Sequence, residues 1–241
     1  IKHPGKVHSC DFSPDNQTIV SGCYEGKVKI WNKSGKILHE FKAHEWGLTS
    51  LCFSPNGKAI LSGSDDKTMN MFDLNGHILQ HFQGHSHDIH AACFSKDGNF
   101  ILTGNGDHTA KLWDILNYKY HNFVGHKKRV VSVAASPNGQ YLLTGSEDNT
   151  AKLWDIHGKE LQTFNLPDEV NSVSFSSDGN SILTGCLTGC TKLWDLTGKE
   201  LQMFKQEEEV SSAVFLPDGK SIVTASKNGV VKHFDLFGSL I

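Results

Sequence analysis

Short runs of alternating apolar and polar residues recur along this chain, each closed by turn-forming residues. One run in each set ends on an aromatic followed by Asp or Asn: Trp31-Asn32, Phe72-Asp73, Trp113-Asp114, Trp154-Asp155, Trp194-Asp195 and Phe234-Asp235. These aromatics are 41, 41, 41, 40 and 40 residues apart. The run before the aromatic (KVKIW, TAKLW) has the period of two expected of a half-buried strand. An earlier run ends on small residues, as in TIVSG, FILTG and SIVTA. Earlier still comes a run such as VHSCDF or VNSVSF, closed by SPDN, SPNG, SKDG, SSDG or LPDG. Pro, Asp, Asn and Gly there supply the fixed or positive φ of a tight turn. A fourth apolar stretch follows the aromatic, as in GKILHEF and GKELQTF. Each repeat predicts four strands, and no stretch is left for a long helix.

A four-stranded unit of this size cannot bury both faces alone, so neighbouring units must stack face to face. Closing the stack into a ring removes the exposed ends, which is the β-propeller arrangement. From Phe234 through the termini to Trp31 is 38 residues, close to a full period. Residues 1–241 are therefore expected to form one all-β domain, a closed ring of six blades. Its ends should meet, with residues 238–241 and Ile1–Lys2 in or beside one outer strand.

At 38% hydrophobic and 20% charged, the composition is that of a folded globular domain. Twenty-three Lys and Arg stand against 26 Asp and Glu, a near-balance that argues against a protein held to nucleic acid by phosphate contacts. No run approaches the length of a membrane span, and no charged start leads into an apolar stretch as in a secretion signal. A cytoplasmic location is expected. Ile1 in first place reads as the start of a processed or excised piece.

The repeats resemble the WD-repeat family of β-propellers, over the full chain. In that family a His before the first strand, a Ser or Thr in the second, an Asp in the next turn and a Trp in the third form a hydrogen-bonded set. The resemblance puts His85, Thr103, Asp107 and Trp113 in these roles in repeat three, and His126, Thr144, Asp148 and Trp154 in repeat four. Repeat one has His3, Ser21 and Trp31 but Glu25 in place of Asp; repeat two has His44, Ser62 and Asp66 but Phe72 for Trp. Repeats five and six depart further, with Leu166, Thr184, Thr188, Trp194 and Gln206, Thr224, Asn228, Phe234. The first and last members are 28 residues apart in all six. Six blades are expected, with five and six less rigidly tied. The DIHGKELQ and DLTGKELQ segments look like WD-repeat regions of bacterial multidomain proteins, which implies that the chain is part of a larger protein.

Signs of catalysis are few. There is no GxSxG elbow, P-loop, GxGxxG or HExxH. Of the 14 histidines, His3, His44, His85 and His126 fall at the structural position. The densest group is His81, His85, His87 and His90, near Cys93, and strand alternation is expected to scatter it, so no metal site is assigned. The six cysteines read as small strand residues; only Cys186 and Cys190, flanking a turn, are placed to be neighbours across a hairpin. No cofactor and no enzymatic activity are expected.

The hydrogen-bonded set itself points to a surface. A His loop and an Asp turn that bond each other lie at one end of the blade, so residues beside them line one face of the ring. These are Tyr24 in blade one, Trp46 and Asp65 in blade two, and His87 in blade three. Blade four adds Lys127, Lys128 and Arg129, blade five Asp168 and Glu169, and blade six Glu207, Glu208 and Glu209. Trp46 is the one Trp outside the repeat's strand position, and Trp is favoured as an interface anchor. The acidic runs would attract a basic peptide or protein. The expectation is a non-enzymatic scaffold or sensor module that binds a protein or peptide on this face. The alternatives are an enzyme with a site in the central channel and weak nucleic-acid binding through the basic loop of blade four.

Overall fold

The computed structural model of the protein describes His3 and residues 5–241. Blade one comprises β1 (Val7–Phe12), β2 (Thr18–Cys23), β3 (Lys27–Asn32) and β4 (Ile37–Lys42). Blade two has β5 (Leu48–Phe53), β6 (Ala59–Ser64), β7 (Met69–Asp73) and β8 (Ile78–Phe82). Blade three has β9 (Ile89–Phe94), β10 (Phe100–Asn105), β11 (Thr109–Asp114) and β12 (Lys119–Val124). In blade four follow β13 (Val130–Ala135), β14 (Tyr141–Ser146), β15 (Thr150–Asp155) and β16 (Glu160–Asn165). Blade five holds β17 (Val170–Phe175), β18 (Ser181–Cys186), β19 (Cys190–Asp195) and β20 (Glu200–Lys205). Blade six holds β21 (Val210–Phe215), β22 (Ser221–Ser226) and β23 (Val231–Asp235). Each sheet is an antiparallel meander in chain order, and the chain is all-β as expected.

The turn between the first two strands shows why the polar tetrapeptides sit where they do. Positive φ falls on Asn16, Gly57, Gly98, Gly139, Gly179 and Gly219, one per blade. In five blades a Ser at the turn's start also accepts the N–H five residues on, as Ser54 Oγ does from Ala59 (2.9 Å).

Core packing lies between blades rather than within them. Five apolar clusters fill the interfaces from blade one–two to blade five–six, built around residues such as Leu48, Ile89, Val130, Val170 and Val210. A fourth-strand Phe packs on the third-strand aromatic of the next blade at each interface: Phe41 on Phe72, Phe82 on Trp113, Phe123 on Trp154, Phe164 on Trp194 and Phe204 on Phe234, with ring centroids 5.0–5.8 Å apart. Inner strands are also stitched across the interface. Ser9 Oγ accepts Leu51 N–H (3.1 Å), Ser50 Oγ accepts Ala92 N–H, Ser132 Oγ accepts Val173 N–H and Ser172 Oγ accepts Ala213 N–H.

Two expectations are corrected. The sixth sheet has three strands, extended only by a bridge from Leu240 to Phe234 and a bond from Ile241 N–H to the His233 carbonyl. Closure is not seen among the described residues: no core cluster joins blade six to blade one, and β21 does not pack along β1 as the other inner strands pack on their neighbours. Ile1 and Lys2, expected in the closing strand, lie outside the described residues. Counting residues gave enough chain for closure, but the count carries no information on the shape of the two faces that would have to touch.

Candidate functional site: the loop face

The hydrogen-bonded sets define one end of every blade. In blade four His126 Nε2 lies 2.7 Å from Thr144 Oγ1, Trp154 Nε1–H donates to the same hydroxyl (2.9 Å), and His126 Nδ1 is 2.9 Å from Asp148 Oδ2. Blade two keeps His44 to Ser62 (2.8 Å) and to Asp66 (3.0 Å), and Phe72 contributes no donor. In blade three His85 and Trp113 share the Thr103 hydroxyl, but Asp107 stands 3.5 Å from His85 Nδ1 and accepts instead from Thr109 and Ser86. Blade one joins His3 and Trp31 through Ser21.

Burial pushes the imidazole pKa down in His44 and His126, and in His85 down to about 4, against the pull of the neighbouring Asp. Burial works against the Asp148 charge as well, yet Thr150, the Lys127 N–H and His126 together hold its carboxyl below the ordinary value. These histidines are therefore neutral near pH 7 and serve as hydrogen-bonding posts.

Blades five and six are tied by other means than expected. The Gln206 amide donates to Thr224 and its carbonyl accepts from Ser226, so an uncharged side chain does the work of the histidine. In blade five Leu166 offers no polar atom, and Cys186 and Cys190 form a disulfide across the β18–β19 hairpin, with Cα atoms 5.5 Å apart. Cys186 and Cys190 are the hairpin neighbours that their spacing allows, and Cys10, Cys23, Cys52 and Cys93 are free.

Asp148→Ala removes the acceptor for Lys127 N–H, Thr150 and His126 at once and is expected to cost about 1–3 kcal/mol. Thr188→Ala, at the matching turn of blade five, should cost well under half of that, because no histidine depends on it. Urea melts of the two variants check the contrast, and equal losses would contradict the network.

One backbone bond repeated in every blade places the face residues. The turn between second and third strands donates to the loop before the first: Tyr24 to Lys6, Asp65 to Gly47, Gly106 to Asp88, Glu147 to Arg129, Leu187 to Glu169, and Lys227 to Glu209. Tyr24, Trp46, Asp65, His87, Lys127, Lys128, Arg129, Asp168, Glu169, Glu207, Glu208 and Glu209 thus all belong to this end of the blades.

Trp46 is 62% exposed and Tyr24 60%. Gly47 sets how closely Tyr24 approaches this loop. A Cβ on Gly47 would stand 2.7 Å from the Asp65 carboxylate and 3.0 Å from the Tyr24 ring, so its absence lets both close over the loop beside Trp46. His8 lies against the other side of Tyr24, with ring centroids 5.9 Å apart. Sequence reading missed Gly47 and His8. The signal for Gly47 was there: the other five repeats carry Lys6, Asp88, Arg129, Glu169 and Glu209 at its place.

The charged loops are less segregated than the sequence implies. Lys128 reaches Glu169 (3.5 Å) between blades four and five, and Lys227 holds Glu209 at 2.6 Å. Asp168 Oδ1 accepts the Glu169 N–H. Glu207 and Glu208 are exposed, and no lysine among the described residues pairs with them. The histidine group disperses: His81 bonds Asn70, His85 belongs to the blade-three set, His87 meets Ser86, and His90 faces Asp88 at 3.0 Å. Among the described residues no three of His, Cys, Asp and Glu converge on a point. A cavity of about 270 Å³ lies between blades three and four, lined by Phe100, Leu112, His121 and Leu142 among others and by none of the face residues.

Six segments match the family described as WD domain, G-beta repeat (WD40): residues 1–32, 35–73, 76–114, 117–155, 158–195 and 198–235. Each match ends on the aromatic-Asp or aromatic-Asn pair, and together they cover nearly the whole chain. The chain belongs to the WD40 repeat family.

Proposed function

We propose that this protein is a non-enzymatic interaction module that holds a protein or peptide on its loop face. Repeats of this family generally mediate protein–protein interactions or scaffolding and are typically not catalytic. The observation that carries the reading is Trp46 and Tyr24, two exposed aromatics, with Tyr24 and Asp65 both closing on Gly47 beside Trp46. Large aromatics at a solvent-facing position bring apolar area at low ordering cost and serve as anchors. The partner we favour has an apolar residue for Trp46 and a basic segment guided by Glu207, Glu208 and Asp168. The module works within or beside a larger multidomain chain; no helix of the described residues is long and apolar enough to cross a membrane.

Capture from a native extract on the wild-type chain, against a matrix without it, identifies the partner, and its affinity is then measured for the wild type and for Trp46→Ala. Trp46→Ala is expected to weaken its binding by about 2 kcal/mol, roughly 30-fold. Reversing Glu207 and Glu208 to Lys should chiefly slow association and flatten its salt dependence, because exposed charges act on encounter. Neither change should move the melting temperature. A captured partner that binds both variants like the wild type places the site elsewhere on the blades.

A further inference from the structure

The five core-filled interfaces are built from matching positions, so an irregular one shows what it lacks. At four of them the first strand of the second blade ends on Phe. These are Phe53, Phe94, Phe175 and Phe215, each packed on the apolar cluster there. Between blades three and four the same place holds Ala135. The cavity of about 270 Å³ lies here, floored by Phe100, Leu112, Ala135, Leu142 and Ile156. A dry apolar cavity of roughly 150 Å³ is already large enough for a benzene ring.

Neighbouring side chains register the missing ring. Leu74, Ile115, Leu196 and Leu236 follow the third strands of their blades and pack, half-buried, on the clusters at their interfaces. Ile156, at the same place in blade four, is 37% exposed and lines the cavity. Phe100 does not take up the space. The interface of blades four and five has Tyr141 at the place of Phe100 and Phe175 at the place of Ala135, and both rings pack on one cluster. The same backbone frame therefore has room for a second ring beside Phe100.

The cavity opens at the end of the blades opposite the loop face, between the turns that carry Ser95 and Gly139 and those that carry Asp114 and His157. In blades four and five an outer-strand Gln ties this edge to the next blade. The Gln162 amide donates to the Thr197 carbonyl, and the Gln202 amide to the Phe237 carbonyl. Their counterpart in blade three is His121, which makes no such bond among the described residues and stands exposed beside His157 at the mouth. Gly139 leaves a further gap. A Cβ on it would meet nothing within 4 Å, whereas one on Gly57, Gly98 or Gly179 would touch Pro14, Pro55 or Pro137 of the preceding blade.

We propose that the cavity between blades three and four binds the phenylalanine side chain of a partner peptide. The incoming ring completes an established interface in the way the chain's own Phe completes four others, and burial of the ring against Ile156 drives it. The floor is apolar, so nothing inside would orient a free polar ligand. The polar side chains Asp114, His121 and His157 sit at the mouth, where the backbone of a peptide carrying the ring would pass. Asn117 holds the Asp114 carboxyl below the ordinary value, and the retained charge favours peptide N–H donors. The site lies at the far end of the blades from Trp46 and adds a second contact to the module.

The probe is N-acetyl-Gly-Phe-Gly-amide, titrated into the whole chain with its Leu and Ile methyls labelled for NMR. Saturable shifts are expected at Leu112, Leu142 and Ile156, complete by about 10 mM. N-acetyl-Gly-Ala-Gly-amide should cause none. Ala135→Phe fills the cavity from within. It should melt about 3 °C higher and bind the probe about 10-fold more weakly or worse. Ile156→Ser, at an exposed position, should keep the wild-type melting temperature and weaken binding about 5-fold, and it carries the test if Ala135→Phe does not fold. Shifts that persist in Ala135→Phe, full affinity in Ile156→Ser, or a probe that moves none of the three residues would each overturn the proposal. Toluene bound as tightly as the peptide would overturn it in favour of a free aromatic ligand.

Discussion

Trp154→Ala is expected to destabilise the protein by about 3–5 kcal/mol, the range for emptying a buried aromatic site. Trp154 is almost wholly buried, meets Phe123 and His126 edge-on at 5.7 and 6.3 Å, and gives its indole N–H to Thr144. Truncation opens a cavity at the interface of blades three and four and leaves Thr144 one donor short. The melting temperature should fall by about 10 °C or more. Trp154→Phe copies blade two, where Phe72 stands at the same place against Phe41 without an indole donor. It should cost no more than about 2 kcal/mol, the hydrogen bond and part of the packing. Equal losses for the two variants would mean that packing around the ring is not what Trp154 supplies.

The second large effect is acid sensitivity below neutral pH. His85 is held down to about 4 by burial, whereas an unfolded chain's histidine titrates near 6.5. The unfolded state therefore takes up a proton first as pH falls. The stability from this group is complete above pH 6.5, declines from there, and is fully lost near pH 4. A gap of this size corresponds to about 3 kcal/mol. His44 and His126 shift in the same direction and steepen the decline; the lowered Asp66 and Asp148 carboxyls add a further loss only below their ordinary range. His85→Gln borrows the solution found in blade six, where Gln206 bonds Thr224 and Ser226 without a titrating ring. Stability of this variant, measured by urea unfolding at pH 7, 6, 5 and 4, should fall less steeply than the wild type's. An unchanged slope would show that His85 titrates normally in the fold.

The amino-acid sequence by itself determined what repeats at short range. The spacing of the aromatics set the number of blades, the period of two set the strands, and the SPDN and SPNG segments set the turns. The His, Ser or Thr, Asp and Trp positions also followed, because a hydrogen-bonded set within one blade depends on a fixed local register. That register placed Tyr24, Trp46, Asp65 and the charged loops at one end of the blades. The tertiary structure alone decided matters that turn on distances between residues far apart in the chain. It paired Lys128 with Glu169 across two blades, and so divided a run of charge that looked uniform. It let Gln206 replace a histidine, because an amide of the right length reaches both Thr224 and Ser226. Among the described residues it also left blade six without the packing on blade one that the other neighbours share. Residue counting allows the ends to meet, but a contact between two faces far apart in the chain depends on their shapes, which a local period does not encode.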